Sequence, residues 1–154
     1  MKKLPFALSC LVLLLAACKP IEFPGPGRSD FSADFGNGYI LARTSGVYVV
    51  IAPQKGYSSD TEIIDTRVLE CGYDARFIIA KRLNIKSIPE DKWGDALLNP
   101  PPDLIDYWII ETLERKRHGP LTQSEFQNEC LRIGIPPEMQ LRNIYDYRPK
   151  NEGA

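Results

Sequence analysis

The sequence predicts an α+β domain: a mostly antiparallel sheet of five to seven strands with one C-terminal helix packed on it. Two observations predict this fold class. Short runs rich in β-branched and aromatic residues recur along the chain, separated by turn-forming residues, as in antiparallel sheets. One stretch, residues 122–134, carries both a start signal and a stop signal for a helix.

Turn-forming residues set the limits of the predicted strands. Ser45 and Gly46 separate the first two runs, which indicates a hairpin. A second turn is expected at residues 72–74 and a basic turn at residues 114–120. The strand runs are residues 38–44, 47–53, 62–71 (one bent strand or two short ones), 76–82 and 105–111, and residues 141–149 could add a short final strand.

The C-terminal helix is predicted to begin at Thr122, because Thr122 and Glu125 have the spacing of a capping box. Gly134 stands where a C-terminal cap belongs and Pro136 follows it, so the helix should end there. Apolar residues at helical spacing should then face the sheet, namely Phe126, Cys130 and Ile133.

The region between residues 83 and 104 reads as a loop with one short helix. Ser87 could cap that helix and Pro89 suits its first turn, while Trp93 and Leu97 share one face. The core is expected to come from one face of each strand and from the helix stripe: Ile40, Val49, Ile51, Phe77, Ile79, Trp108, Ile110, Phe126 and Ile133.

The first seventeen residues have the features of a secretory signal peptide. Lys2 and Lys3 precede an apolar run over residues 4–17 that is too short for a mature membrane-spanning helix. The run ends in Leu-Ala-Ala followed by Cys18, which resembles the lipobox of bacterial lipoproteins. That resemblance implies cleavage before Cys18 and acyl chains, such as palmitate, on its thiol. Lys19 follows where an aspartate would signal inner-membrane retention, which favours the outer membrane in a Gram-negative source.

The expected organisation is a signal peptide over residues 1–17, a lipidated Cys18 with a flexible tether to residue 37, and a single globular domain over residues 38–154. Prolines and glycines in residues 19–37 indicate the tether. Cleavage removes two lysines, leaving 17 basic against 20 acidic residues, a formal charge of −3. This balance argues against nucleic acid as a partner, while two or three acyl chains would hold the protein at a membrane.

No pattern for catalysis, a cofactor or a metal is recognisable in the sequence. His118 is the only histidine and lies in the basic turn, where it reads as an exposed turn residue. Cys71 and Cys130 either form a disulfide or remain two separate small apolar side chains, since an extracytoplasmic location favours pairing without requiring it.

Exposed aromatic residues near loops are the best candidates for a binding surface. These are Tyr57, Tyr73, Trp93, Tyr145 and Tyr147. The predicted surface combines Tyr73 and Trp93 with the basic residues Arg115, Lys116 and Arg117.

Four segments are similar to an uncharacterised family of small bacterial lipoproteins that contain a domain of unknown function. They are residues 36–44, 76–82, 106–112 and 119–126. The resemblance implies no activity and no catalytic residue. We therefore expect a non-enzymatic, lipid-anchored envelope protein on the extracytoplasmic side of the membrane that binds another protein or an envelope component. The alternative is an inhibitor or immunity lipoprotein that neutralises a toxin, a phage protein or a hydrolase.

Overall fold

A computed structural model describes residues 30–55 and 63–149. The predicted signal peptide, Cys18 and Tyr57 lie outside the described residues. Within them, eight strands form two antiparallel sheets, one of three strands and one of five. The class is α+β and mostly sheet with a C-terminal helix, as predicted, but the expected single sheet of five to seven strands is corrected to two sheets.

The first sheet has the order β1-β2-β3, with bounds Phe31–Asp34, Tyr39–Arg43 and Val49–Pro53. The predicted hairpin is confirmed as β2 and β3, and the Ser45 hydroxyl accepts hydrogen bonds from the Val47 and Tyr48 amides in its turn. β1 lies inside the predicted tether and pairs along its whole length with β2. The folded domain therefore begins before residue 38.

The second sheet has the order β7-β6-β5-β4-β8. Its strands are β4 (Val68–Tyr73), β5 (Phe77–Leu83), β6 (Ile105–Glu111), β7 (Lys116–Leu121) and β8 (Arg142–Asn143). In the run predicted over residues 62–71, Ile64 forms an isolated bridge with Ile51, and β4 begins only at Val68 and extends two residues past the predicted end. The Asp74 carboxylate closes the turn after β4 by accepting from the Arg76 and Phe77 amides. The predicted basic turn is shorter than expected, because β7 already begins at Lys116.

Each face of the second sheet packs against another element. Ile78 pairs with Ile110 on the face that packs against the first sheet, whereas Ile79 pairs with Ile109 on the face that packs against the C-terminal helix. This two-sided burial explains why β5 is apolar at consecutive positions. Seven of the nine predicted core residues are buried, but they do not all lie on one face of the sheet. The other two, Ile40 and Ile133, are only half-buried, and in β2 the neighbouring Leu41 is buried instead of Ile40.

The two helices differ in how far their ends were predictable. α1 (Trp93–Leu98) follows a 3₁₀ turn over Glu90–Lys92, so the expected cap at Ser87 is not formed. α2 (Gln123–Ile133) has the predicted capping box between Thr122 and Glu125. It ends at Gly134, whose φ of 77° is in the left-handed region that favours glycine.

The chain after α2 returns across the second sheet to form β8 and a 3₁₀ turn at Ile144–Tyr147. Its path passes close to Gly72 on β4, where a β-carbon would lie 2.4 Å from the Gln140 carbonyl oxygen. Among the residues that the structure describes, no helix is both long and apolar enough to span a bilayer.

Candidate functional site

A groove lies beside α2 on the helix-bearing face of the second sheet. α2 covers the part of that face around Ile79 and Ile109 and leaves the other part open. The open part is a cavity of about 730 Å³. We call it the sheet groove. Its wall and floor residues include Arg67, Glu70, Lys81, Asp103, Tyr107, Thr122, Gln123, Asn143 and Tyr145.

The floor of the sheet groove is polar but largely neutral. Lys81 on β5 donates from Nζ to Glu70 Oε1 on β4 at 2.8 Å, so these two charges compensate each other. Tyr107 on β6 stacks on Phe126 of α2 with ring centroids 5.0 Å apart, which ties the helix to the groove floor. The start of α2 and the segment after β8 form opposite walls because each packs against a different strand of the sheet.

Two arginines converge on Tyr145 at the mouth of the groove. Burial acts to raise the pKa of the Tyr145 phenol, but hydrogen bonds with Arg67 and Arg43 outweigh it and lower the pKa below its ordinary value. The Arg43 guanidinium carbon lies 5.7 Å from the centroid of the Tyr145 ring, and Arg43 Nη1 lies 3.5 Å from Asp30 Oδ1. The mouth is therefore a cationic site around an exposed phenol.

Arg67 has buried donors that are not used. Its Nε and Nη1 atoms are buried and have no hydrogen-bond partner within residues 30–55 and 63–149, and no carboxylate of those residues forms an ion pair with it. An unsatisfied buried donor destabilises a fold by about 1–3 kcal/mol, and more if it is charged.

Aromatic side chains surround the same end of the domain. Phe35 stacks on Tyr73 with centroids 4.1 Å apart, Tyr73 lies 5.8 Å from Tyr147, and Phe31 lies 6.3 Å from Tyr145. We call these five residues the aromatic cluster. Tyr73 is 37% exposed and Tyr145 48% exposed, so part of the cluster is surface.

The structure brings together three of the five aromatic residues expected at the surface, namely Tyr73, Tyr145 and Tyr147. Trp93 lies apart, as the first residue of α1, with its Nε1 donating to the Ile88 carbonyl at 3.2 Å. The binding surface predicted from Tyr73, Trp93 and the basic segment is thus divided among different parts of the fold.

The basic segment lies at the opposite edge of the second sheet from the aromatic cluster. β7 forms one edge and β8 the other. Arg117 is engaged internally: its guanidinium carbon lies 4.6 Å from the Trp108 ring centroid and the side chain donates to the Ile63 carbonyl. Arg115 lies in the turn before β7 and Lys116 begins the strand, so they do not flank the tyrosines.

The expectation that His118 is an exposed turn residue is wrong. His118 lies in β7, and its side chain is only 10% exposed. Its Nε2 lies 2.6 Å from Glu111 Oε1 on β6, and its Nδ1 lies 2.8 Å from Glu129 Oε1 on α2. Arg132 donates two hydrogen bonds of 2.7 Å to the same Glu129 carboxylate. These contacts connect α2 to both strands.

The surroundings of His118 favour a structural role over acid–base catalysis. Glu111 and Glu129 therefore occupy both ring nitrogens of His118. The hydrogen bond from Arg132 is the largest of the effects that lower the pKa of Glu129 to about 2. His118 makes a smaller contribution in the same direction. The described bonds of His118 include neither a hydroxyl nor a thiol, and no group of three metal-ligating side chains is found within the described ranges.

Cys71 and Cys130 are free thiols on opposite faces of the second sheet. Cys71 lies between the two sheets, where burial raises the pKa of its thiol to about 12. Cys130 is half-buried under α2. The candidate disulfide is therefore not formed, because the sheet itself separates the two side chains.

Sequence reasoning missed Arg67, Arg43, Glu111 and Glu129 as members of polar sites. Each reaches its partner through strand pairing or helix packing between separate elements, and no local motif marks it. The exposed tyrosines were identifiable because aromatic residues near a chain end already suggest a surface role.

Comparison with known proteins identifies one family. A family model described as "Protein of unknown function (DUF3997)" matches residues 36–145, which is most of the chain and contains both sheets except β1. No curated protein and no solved structure matches the chain.

Proposed function

This chain belongs to the DUF3997 family, and we propose that it is a lipid-anchored bacterial envelope protein that acts by binding another protein or an envelope component. The proposal has two parts, the anchor and the binding surface. The anchor is supported by the sequence Leu-Ala-Ala-Cys at the end of an apolar leader with a basic start. Acylated Cys18 would place the domain on the extracytoplasmic side.

The binding surface is the mouth of the sheet groove together with the exposed side of the aromatic cluster. The observation that carries this part is the convergence of Arg67 and Arg43 on the half-exposed Tyr145. Tyrosine and arginine are the residue types that most often dominate the energy of protein interfaces. A surface of this composition suits a protein partner better than it suits a small substrate.

The contacts of His118, the one histidine in the sequence, favour binding over catalysis. Glu111 and Glu129 occupy both of its ring nitrogens, which leaves neither nitrogen free to contact a substrate. The same contacts give His118 a structural role, since they join β6 and α2 to β7.

Lipid labelling in the native host tests the anchor. We expect the wild-type chain to incorporate labelled palmitate and to fractionate with membranes, and Cys18→Ser to remain an unlabelled precursor. Cys71→Ser is the matched control, because Cys71 lies inside the core and should not affect labelling. Equal labelling of the wild-type chain and Cys18→Ser would contradict the anchor.

Crosslinking in intact cells, followed by capture of the full chain, tests binding. We expect a discrete partner whose recovery falls with Tyr145→Ala but not with Tyr48→Ala, a tyrosine of similar exposure outside the aromatic cluster. A toxin, phage protein or hydrolase as partner would select the inhibitor or immunity function. Loss of a measured turnover on His118→Ala, with the fold intact, would refute binding as the function.

A further inference from the structure

We propose that Asn37 is a site of spontaneous deamidation, and that its conversion to a carboxylate releases the turn between β1 and β2 from the second sheet. Gly38 follows Asn37, and none of the other five asparagines in the sequence precedes a glycine. Water is the only co-reactant, so this inference does not depend on the proposed anchor or on the proposed partner.

The reaction joins the backbone nitrogen of Gly38 to Cγ of Asn37. The nitrogen loses its proton to hydroxide and attacks the side-chain amide. The N–Cγ bond forms and the Cγ–Nδ2 bond breaks, and Nδ2 takes up a proton from water and leaves as ammonia. Water then opens the cyclic imide at either carbonyl, which gives aspartate or isoaspartate.

The surroundings of Gly38 leave room for this attack. Gly38 is exposed, with a φ of 88°. Among the described residues, no heavy atom other than those of its two chain neighbours lies within 4 Å of the position that a β-carbon would take there. The absence of a side chain on the attacking residue is the reason that a glycine favours ring closure, since a β-branched residue would hinder it sterically.

In the folded chain, Asn37 is held at both ends of its side-chain amide. Its Nδ2 donates to the Asp74 carbonyl oxygen at 2.8 Å, and its Oδ1 accepts from the Tyr39 amide at 3.2 Å. Movement of Cγ onto the Gly38 nitrogen strains both hydrogen bonds, so the reaction in the folded chain has to wait for local opening. The unfolded chain lacks this restraint, and unfolding therefore exposes the site.

The product cannot keep the contact with Asp74. An ionised carboxylate only accepts hydrogen bonds, and the Asp74 carbonyl oxygen is itself an acceptor. Asp74 follows Tyr73 in the chain, and Phe35, two residues before Asn37, stacks on the Tyr73 ring with centroids 4.1 Å apart. The hydrogen bond and the stacked rings join the same two turns. Loss of the bond therefore loosens this end of the aromatic cluster, and refolding does not restore it.

The first test compares deamidation of the full chain in its native state and in urea, by peptide mass spectrometry after incubation in mildly alkaline buffer. We expect Asn37 to convert in the unfolded chain, and at least about tenfold more slowly in the native chain. Asn84 is the internal control, because it precedes the β-branched Ile85, and it should remain an amide. Equal conversion of Asn37 and Asn84 in urea would overturn the site. Equal rates at Asn37 in both states would overturn the restraint.

The second test uses Asn37→Asp, which reproduces the aspartate product. We expect several-fold faster amide hydrogen exchange at residues 36–39 and 73–77 than in wild type, measured on the native protein. Asn99→Asp is the matched control, since it adds the same charge at an exposed position after α1 and should leave both segments unchanged. The deamidated wild-type chain gives the same measurement if Asn37→Asp does not fold. Exchange like that of the unreacted chain would overturn the release of the turn.

Discussion

Truncation of Phe126 is the sharpest test of how α2 is held on the second sheet. Phe126 is 9% exposed, stacks on Tyr107, and packs with Ile79 and Ile109. Phe→Ala substitutions in cores destabilise proteins by about 3–5 kcal/mol. We expect Phe126→Ala to lower the free energy of unfolding by about 3 kcal/mol, at the low end of that range. Phe126 also lines an open cavity between α2 and residues 135–141, so its site can partly collapse.

The measurement is urea denaturation followed by circular dichroism and tryptophan fluorescence, with coincident transitions as the test of two-state unfolding. Leu131→Ala is the control, since Leu131 lies on the same helix but is 81% exposed, and it should change stability by less than about 0.5 kcal/mol. A loss below about 1 kcal/mol for Phe126→Ala, or equal losses for the two variants, would show that α2 does not pack on the sheet as described.

Three other predictions concern the cap, a close approach and a buried thiol. Thr122→Ala should lower the free energy of unfolding by about 1 kcal/mol in the same assay, because the capping box is lost; an unchanged urea midpoint would contradict this. Gly72→Ala should destabilise by about 1–3 kcal/mol, because the new methyl group would meet the Gln140 carbonyl, whereas Gly94→Ala has open space and serves as control. Cys71 ionises near pH 8.5 when unfolded but only near 12 when folded, so the unfolded state binds fewer protons between these values and stability should fall as pH rises through that window. Thermal melts of wild type and Cys71→Ala from pH 8 to pH 11 check this; parallel pH profiles would contradict the assignment.

Local patterns predicted the elements whose signals are contained in a few consecutive residues. The β2–β3 hairpin follows from two strand-forming runs around Ser45 and Gly46, and both ends of α2 follow from Thr122 and Gly134. These features form through contacts between near neighbours in sequence, so the sequence displays them directly.

Long-range pairing explains what could not be predicted. β1 follows a proline- and glycine-rich stretch and is a strand only because β2 offers it a partner. The sequence does not show that the side chains of β5 alternate between two cores. Its apolar residues are consecutive, so no two-residue period assigns each one to a face. The arginines at Tyr145 and the carboxylates at His118 come from separate elements, and sequence spacing contains no information on how those elements pack.

The placement of Cys71 and Cys130 on opposite faces of one sheet has a consequence for how this domain is stabilised. No disulfide joins the two described cysteines. Without a crosslink the unfolded chain keeps its full loop entropy, and packing must compensate for all of it. Packing and hydrogen bonding, and not a bond between Cys71 and Cys130, must therefore hold the described domain together.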